Sequence, residues 1–429
     1  MVYQYIICAE SGAGAAKLRR MSVDGSGEMS VDAAEAYDGL PDSRVVGRHG
    51  MFPDTTHDDV ARINFLAQLN RHLAMNVAPF VGAAWDGRVK PAVEAQTGQP
   101  PRDRHQVRKA LLGDPMFALW SALRRMTMEQ RQQAGRWIAI RQAESLASAA
   151  AVLTEDDPRL SLDPSLPIPR YVSAVDHHCM AGSYHTELFP GDVSAGANYD
   201  VGLFITTGGL LGRWSDGGGR AIVDWVRRER PDFKPKRILD IGATLGHNVL
   251  PIAAAFPDAE VIALDVGAPM LRYGLARAKT LGVDNVRFVQ ADATSLPQFA
   301  DGAFDWIQTT MFLHELSLSS MNAIFRESHR LLRPGGVVLH VEQPQYTPDM
   351  PLFEQAMRDW DAFYNNEPFW STLHEIDLDA RFVEAGFDRA NLIHDKVSAD
   401  ARDIFPAAAD DTVEDFGRKA AWRLVGAVR

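Results

Sequence analysis

The sequence predicts an α/β protein: a parallel, helix-covered sheet in the C-terminal half, preceded by a mostly helical N-terminal half. Three observations carry this prediction. Short apolar runs and helical stretches alternate between Arg237 and Glu342, and such alternation means a parallel sheet covered on both faces. Between Val60 and Val152 apolar residues recur instead at helical spacing. A Pro-rich, poorly periodic stretch over 156–171 separates the two patterns and reads as a linker.

The elements follow in order. Val60, Ile63, Leu66, Leu69, Leu73, Val77 and Phe80 mark a helix over 60–81, with His57, Asp58 and Asp59 ahead of it, and acidic residues suit a first helical turn. A second helix spans 104–112 and is broken by Gly113-Asp114-Pro115. A third runs from Met116 towards Val152 with a break, and Thr127 with Gln130 forms a candidate capping box inside it. Residues 171–211 are polar and aromatic and fit no single class. Gly217-Gly218-Gly219 then punctuates the chain before a helix over 220–230. Seven strands are expected at 237–241, 259–266, 286–291, 304–309, 336–342, 390–394 and 421–428. Helices fall at 248–256, 270–281, 321–332 and 381–386. The last strand closes an antiparallel hairpin at the sheet edge.

Composition bounds the function. At 429 residues the chain exceeds what one hydrophobic core usually serves. Two domains are therefore expected, 1–210 and 221–429. A formal net charge of -12 lacks the electrostatic footprint of a nucleic-acid binder and favours no anionic membrane. No apolar run approaches a bilayer span. The start MVYQYIICAESGAG has no basic region ahead of its apolar stretch, against a signal peptide. Met21 and Met29 are alternative starts, joined by a linker-like Gly/Ser run. Cys8 and Cys179 are the two cysteines, too few for a disulfide framework, and a cytoplasmic protein is expected.

The chemistry centres on Ile238-Leu239-Asp240-Ile241-Gly242-Ala243-Thr244-Leu245-Gly246-His247. A strand runs through a glycine-containing turn into a helix. Small residues there let backbone approach a ligand, and a helix N-terminus favours a carboxylate. Thr244 stands where a glycine is usual, so a stiffer or differently shaped loop is expected. Asp265 ends the second strand, where an acidic side chain can accept from two ribose hydroxyls. Asp292, in Gln290-Ala291-Asp292-Ala293, can take a proton from an adenine amino group. Leu331-Leu332-Arg333-Pro334-Gly335-Gly336 reads as a helix end, a turn and the fifth strand.

This set resembles the class I S-adenosylmethionine (SAM)-dependent methyltransferases, especially the group typified by ubiquinone and menaquinone biosynthesis enzymes, over about 221–429. The resemblance implies a Rossmann-like, seven-stranded sheet and SAM as cofactor. It implies that Asp240, Gly242, Ala243 and Gly246 line the methionine end, that Asp265 holds the ribose and that Asp292 with Ala293 meets the adenine. Thr309, at the end of the fourth strand, joins this cofactor set. The implied partner is a small methyl acceptor: quinone-like, phenolic, polyketide or lipid-derived. A SAM-binding protein that catalyses a non-methylating reaction, or acts as a regulator, is the alternative. The resemblance stops short of residues 1–210, which either cap the site and shape the acceptor pocket or form a dimerisation domain.

Candidate catalytic groups are His314, Glu315, His178, His185 and Tyr199. His314-Glu315 follows the fourth strand, and ligands of open α/β sheets bind outside the carboxyl ends of strands. An imidazole there is a plausible general base near neutrality. The segment Asp176-His177-His178-Cys179-Met180-Ala181-Gly182-Ser183-Tyr184-His185-Thr186-Glu187 admits a substrate-facing lid, a metal site or a hydrogen-bonded loop. The lid is preferred. Adjacent His177 and His178 cannot easily point at one ion, the spacing matches no standard finger, and no metal is expected. Phe353, Met357, Trp360, Phe363, Tyr364, Phe369 and Trp370 form an aromatic stripe, either core or acceptor wall.

Overall fold

The computed structural model describes residues 40–405 and 422–429. Cys8, the alternative starts Met21 and Met29, their Gly/Ser run and the first residue of the closing strand lie outside the described residues.

The sheet has eight strands, not seven: β1 Leu160–Ser161, β2 Arg237–Ile241, β3 Glu260–Asp265, β4 Val286–Gln290, β5 Phe304–Thr310, β6 Leu332–Glu342, β7 Leu392–Val397 and β8 Trp422–Val428. Their order is β1-β4-β3-β2-β5-β6-β8-β7. The strands from β1 to β6 pair in parallel, and β8 runs antiparallel to both β6 and β7. The extra strand comes from the presumed linker. Leu160 and Ser161 pair with Phe288 and Val289 on the edge strand β4, and the Phe288 amide donates to the Arg159 carbonyl at 2.7 Å. A two-residue strand has no periodicity to read.

Buried on both faces, β2, β3 and β5 are nearly continuous apolar runs. One core layer packs Trp225, Val249, Leu271, Phe288 and Trp306, and the other packs Leu239, Ile307, Phe325 and Phe382. The chain steps from β2 to β3 and β4 on one side, then returns to β5 and β6 on the other. That reversal at β2/β5 opens a crevice at the strands' carboxyl ends. The Arg-Pro-Gly-Gly turn forms an irregular start to β6, where the register shifts between Phe304 and Trp306. The three glycines are not punctuation but the first turn of the helix Gly217–Glu229. A Cβ on Gly219 would collide with the Asn248 carbonyl, so close backbone packing requires glycine there.

The N-terminal part is helical as expected, but the helix expected over 60–81 is interrupted by a wider turn at Leu73–Val77 before Ala78–Ala84. His57–His72 starts on a capping box between Thr56 and Asp59, and Arg104–Leu111 ends before Asp114, which caps Pro115–Arg141. Ala143–Thr154 follows a break at Gln142. Thr127 is not a cap: it lies buried mid-helix and its hydroxyl donates to the Leu123 carbonyl. The unclassified stretch contains the buried helix Ser194–Thr207, which lacks the one-sided periodicity of a surface helix because ten of its residues are buried. It packs so closely that a Cβ on Gly196 would sit 2.7 Å from Tyr273.

The aromatic stripe mostly packs against the N-terminal helices. Phe353 stacks on Trp85, and Trp360 meets Trp120 edge-on while donating to Ser121 Oγ at 2.8 Å. Arg104 binds Asp359 at 2.5 Å and also Glu375, tying the insertion after β6 to the N-terminal helices.

Candidate active site

The loops that leave β2, β3 and β4 form one wall of a cavity of about 340 Å³. Gly242 leaves β2 at φ 73°, and a Cβ there would collide with the Phe312 ring. Thr244 takes φ 47°, the left-handed backbone a glycine would adopt. The loop therefore keeps the glycine shape and strains a β-branched residue to do so. Asp265 holds the loop in place: its carboxylate accepts from the Thr244 amide at 2.9 Å and the Gly267 amide at 2.9 Å. Burial pushes its carboxyl above the usual range, against those backbone donors.

Of the proposed cofactor residues, Gly242, Asp265 and Ala293 line the cavity. Ala243 and Gly242 both donate to the Leu264 carbonyl, and Gly246 donates to the Ala243 carbonyl, so they shape the loop. Asp240 is buried beneath it, and burial with the neighbouring Asp265 pushes its carboxyl well up. Asp292 accepts from the Thr294 amide at 2.9 Å and braces the turn between two lining alanines, Ala291 and Ala293. Thr309 points into the core, 2.7 Å from His340 Nδ1, and its neighbour Thr310 takes the lining position. A one-residue shift along a strand changes the face.

The facing wall carries His177, His178, Tyr184, Tyr199, His314, Glu315, Glu367 and Trp370. His314 sits on a single turn after β5, with Nδ1 2.7 Å from Glu342 Oε1 on β6. Burial pushes the imidazole down, but Glu342 outweighs it and raises it to about 9. Glu342 thus favours the protonated ring, which can donate. Trp370 packs edge-on against it at 4.7 Å. Glu315 meets His177 Nδ1 at 2.5 Å, His178 Nε2 at 3.3 Å and the Tyr184 hydroxyl at 3.3 Å. Burial pushes its carboxyl up, but the two imidazoles hold it well below the usual range. Tyr184 and Tyr199 meet edge-on at 6.0 Å, both pushed up by burial.

His178, Tyr199, His314 and Glu315 therefore share one cavity, whereas His185 does not line it. His185 is half-buried, its imidazole pushed down by burial. Glu367, Glu342 and Tyr171 escaped sequence reasoning. Glu367 lies between two short helices with no motif around it. Glu342 reads as the polar end of a strand, and Tyr171 lies in the presumed linker.

Behind Tyr199 lies a buried joint. Asp200 accepts from the Tyr273 hydroxyl at 2.9 Å and lies 2.7 Å from His49 Nε2 and 2.9 Å from His247 Nε2. Burial pushes its carboxyl up, and the two imidazoles outweigh that and hold it well below the usual range. The helix Ser194–Thr207 is thus joined directly to the residue that follows Gly246.

The chain thus carries a Rossmann-type sheet with a glycine turn after β2 and an acidic residue at the tip of β3. Residues 238–336 match the family model described as "Methyltransferase domain". The C-terminal half is similar to menaquinone biosynthesis methyltransferases. It is 37% identical over 127 residues to a demethylmenaquinone methyltransferase of Thermus thermophilus, covering 29% of this chain and 56% of that protein. It is 36% identical over 118 residues to a malonyl-[acyl-carrier protein] O-methyltransferase of Methylococcus capsulatus, covering 28% and 40%. The chain spans about half the length of the curated relatives it matches. Among solved structures, phosphoethanolamine N-methyltransferase 2 of Haemonchus contortus in complex with SAM aligns with TM-score 0.38 and 17% identity, over 54% of this chain and 57% of that one. Among the described residues no helix is long and apolar enough to cross a membrane.

Proposed function

We propose that this chain transfers a methyl group from SAM to a small organic acceptor held between the strand-tip loops and the helical cap. One observation carries the reading. A single cavity joins Gly242, Thr244, Asp265 and Ala293 on the strand tips to His178, Tyr199, His314 and Glu315 opposite.

The residues fit the cofactor. Gly242 turns under the Phe312 ring with no room for a side chain, and Asp265 presents a carboxylate already oriented by two amides. Gly242 and Thr244 would face the methionine end, Asp265 the ribose, and Ala291 to Ala293 the adenine. SAM, when bound, supplies an electrophilic methyl group on a sulfonium. The protein's own task is alignment and exclusion of water, since an in-line displacement needs a near-attack acceptor. His314, held by Glu342, donates a hydrogen bond to an acceptor oxygen. Tyr184, Tyr199 and Trp370 supply flat apolar walls, which favour a planar quinone-like or phenolic acceptor. That preference agrees with the name of the Thermus relative.

Calorimetry with SAM tests the cofactor reading. Asp265→Ala should bind SAM at least about tenfold more weakly, because a hydrogen bond to a charged group contributes roughly 1.5–3 kcal/mol. Unchanged affinity removes Asp265 from the ribose site, and binding of NAD alone overturns the cofactor. Binding of SAM without S-adenosylhomocysteine release across phenolic and quinol acceptors would favour a non-methylating role.

A further inference from the structure

The acid–imidazole cluster on the cap side of the cavity is built in a way that hydrogen bonding leaves unfinished. Glu367 is fully buried, yet neither carboxylate oxygen accepts a hydrogen bond from the described residues. His178 Nδ1 lies 2.5 Å from its Oε1 without hydrogen-bond geometry. His177 is buried too, with Nε2 2.7 Å from the Tyr171 carbonyl. A carbonyl only accepts, so Nε2 bears the proton, and in the neutral ring Nδ1 offers its lone pair. That nitrogen lies 2.5 Å from Glu315 Oε2, and neither atom makes a hydrogen bond. Two acceptors at that range repel unless a proton or a cation is shared between them. A histidine tied by one nitrogen to a carbonyl, with the other aimed at carboxylates, is how metal-ligating histidines are oriented.

We propose that His177 Nδ1, Glu315 and Glu367, with His178 as a fourth donor, hold a divalent transition-metal ion of the zinc, iron(II) or manganese(II) kind. One donor atom from each of the first three lies within 4.8 Å of the others; bonds of about 2.0–2.2 Å hold donors up to about 4.4 Å apart, so the side chains need draw in by only a few tenths of an ångström around an ion. Imidazole and carboxylate donors without thiolate suit these ions. Cys179, next in sequence, is turned away, with Sγ 3.8 Å from Asn365 Oδ1. Two buried carboxylates balance the ion's charge. The neighbouring histidines reach one site because His178 takes φ 51°, which brings its Nε2 to 3.3 Å from the carboxylate that His177 meets. His178 and Glu315 line the cavity, so the ion would face an oxygen-bearing acceptor and favour its ionised form. The site stands on its own geometry and does not depend on methyl transfer.

The test uses the full chain, dialysed against a chelator and then titrated with Zn²⁺, Mn²⁺ and, without oxygen, Fe²⁺. At least one ion should saturate at one equivalent and raise the melting temperature. Glu367→Gln and His177→Ala should each weaken that binding by more than about a hundredfold, beyond the loss expected from removing an outer partner of a ligand. Near-ultraviolet circular dichroism verifies that the variants fold, and His178→Gln provides a third variant should either fail. Wild-type protein that is folded but takes up none of the three ions overturns the proposal, as do folded variants that bind as tightly as wild type. SAM titration on the same preparations separates the two readings: SAM binding without metal uptake sinks only the metal site, and metal uptake without SAM binding sinks only the methyl-transfer reading.

Discussion

The two walls of the cavity are built by different rules. On the strand-tip wall, neighbouring loops fix one another with a few residues: Gly242 and Thr244 take left-handed backbone, and Asp265 on the adjacent strand accepts from the Thr244 and Gly267 amides at 2.9 Å. On the cap wall, no short segment makes anything by itself. Tyr184 reaches Glu315 across 131 positions of sequence, and His178 meets Glu367 from the insertion after β6. Local backbone rules confer binding geometry on the first wall. Long-range packing assembles charged chemistry on the second, and that chemistry survives only while the packing does.

The sharpest way to break the comparison is at the joint between the walls. Asp200 is buried among His49, His247 and Tyr273. Asp200→Ala leaves two buried imidazoles and a phenol without their shared acceptor, and breaking such a group costs about 3–5 kcal/mol. Urea denaturation should show that loss, and SAM affinity should fall with it because His247 follows the glycine loop. Unchanged stability would mean that the walls stand independently.

His314 is the next test. His314→Asn should lower turnover by about a hundredfold, the scale of proton-transfer and hydrogen-bond assistance, while SAM affinity stays near wild type. Turnover, calorimetry and melting temperature on one preparation distinguish this from a supporting role. Normal turnover with a lowered melting temperature would leave His314 merely as a brace for Glu342.

The smallest effect concerns a cap contact remote from the cavity. Burial pushes the Asp59 carboxyl up, but Arg141, at 2.6 Å, and Thr56 outweigh it and hold it at about 2. A depressed carboxyl contributes stability that is complete above its unfolded value near 4 and is lost as pH falls through about 2. That contribution is about 2 kcal/mol by linkage. The acid limb of the melting-temperature profile between pH 4 and pH 2 should therefore be shallower in Asp59→Asn, with SAM affinity at neutral pH unchanged. An identical acid limb would place the acid sensitivity elsewhere, with Asp200 and Glu315 as the next groups to vary.

Legibility followed the same division. The helix His57–His72 was readable from helical spacing of its apolar residues, and strands β2 to β6 from short, largely apolar runs that alternate with helices. β1 was not, since two residues carry no period and owe their conformation to the edge of β4. The helix Ser194–Thr207 was hidden because burial on nearly every face erases amphipathic spacing. The substitution at Thr244 looked like a departure, but the backbone there takes the conformation of the residue it replaces.

By itself the sequence determined the parallel part of the sheet and the position of its glycine turn, because backbone conformation and apolar patterning are local properties written in adjacent residues. It also determined that Asp265 ends a strand and that His314 follows one. Only the tertiary structure decided which face Thr309 takes, that His185 stays off the cavity, and that His177, His178, Glu315 and Glu367 meet. The reason is physical. Burying two carboxylates beside two imidazoles is costly unless each charge finds its counterpart. Those counterparts come from separate elements whose contact exists only after the chain has folded.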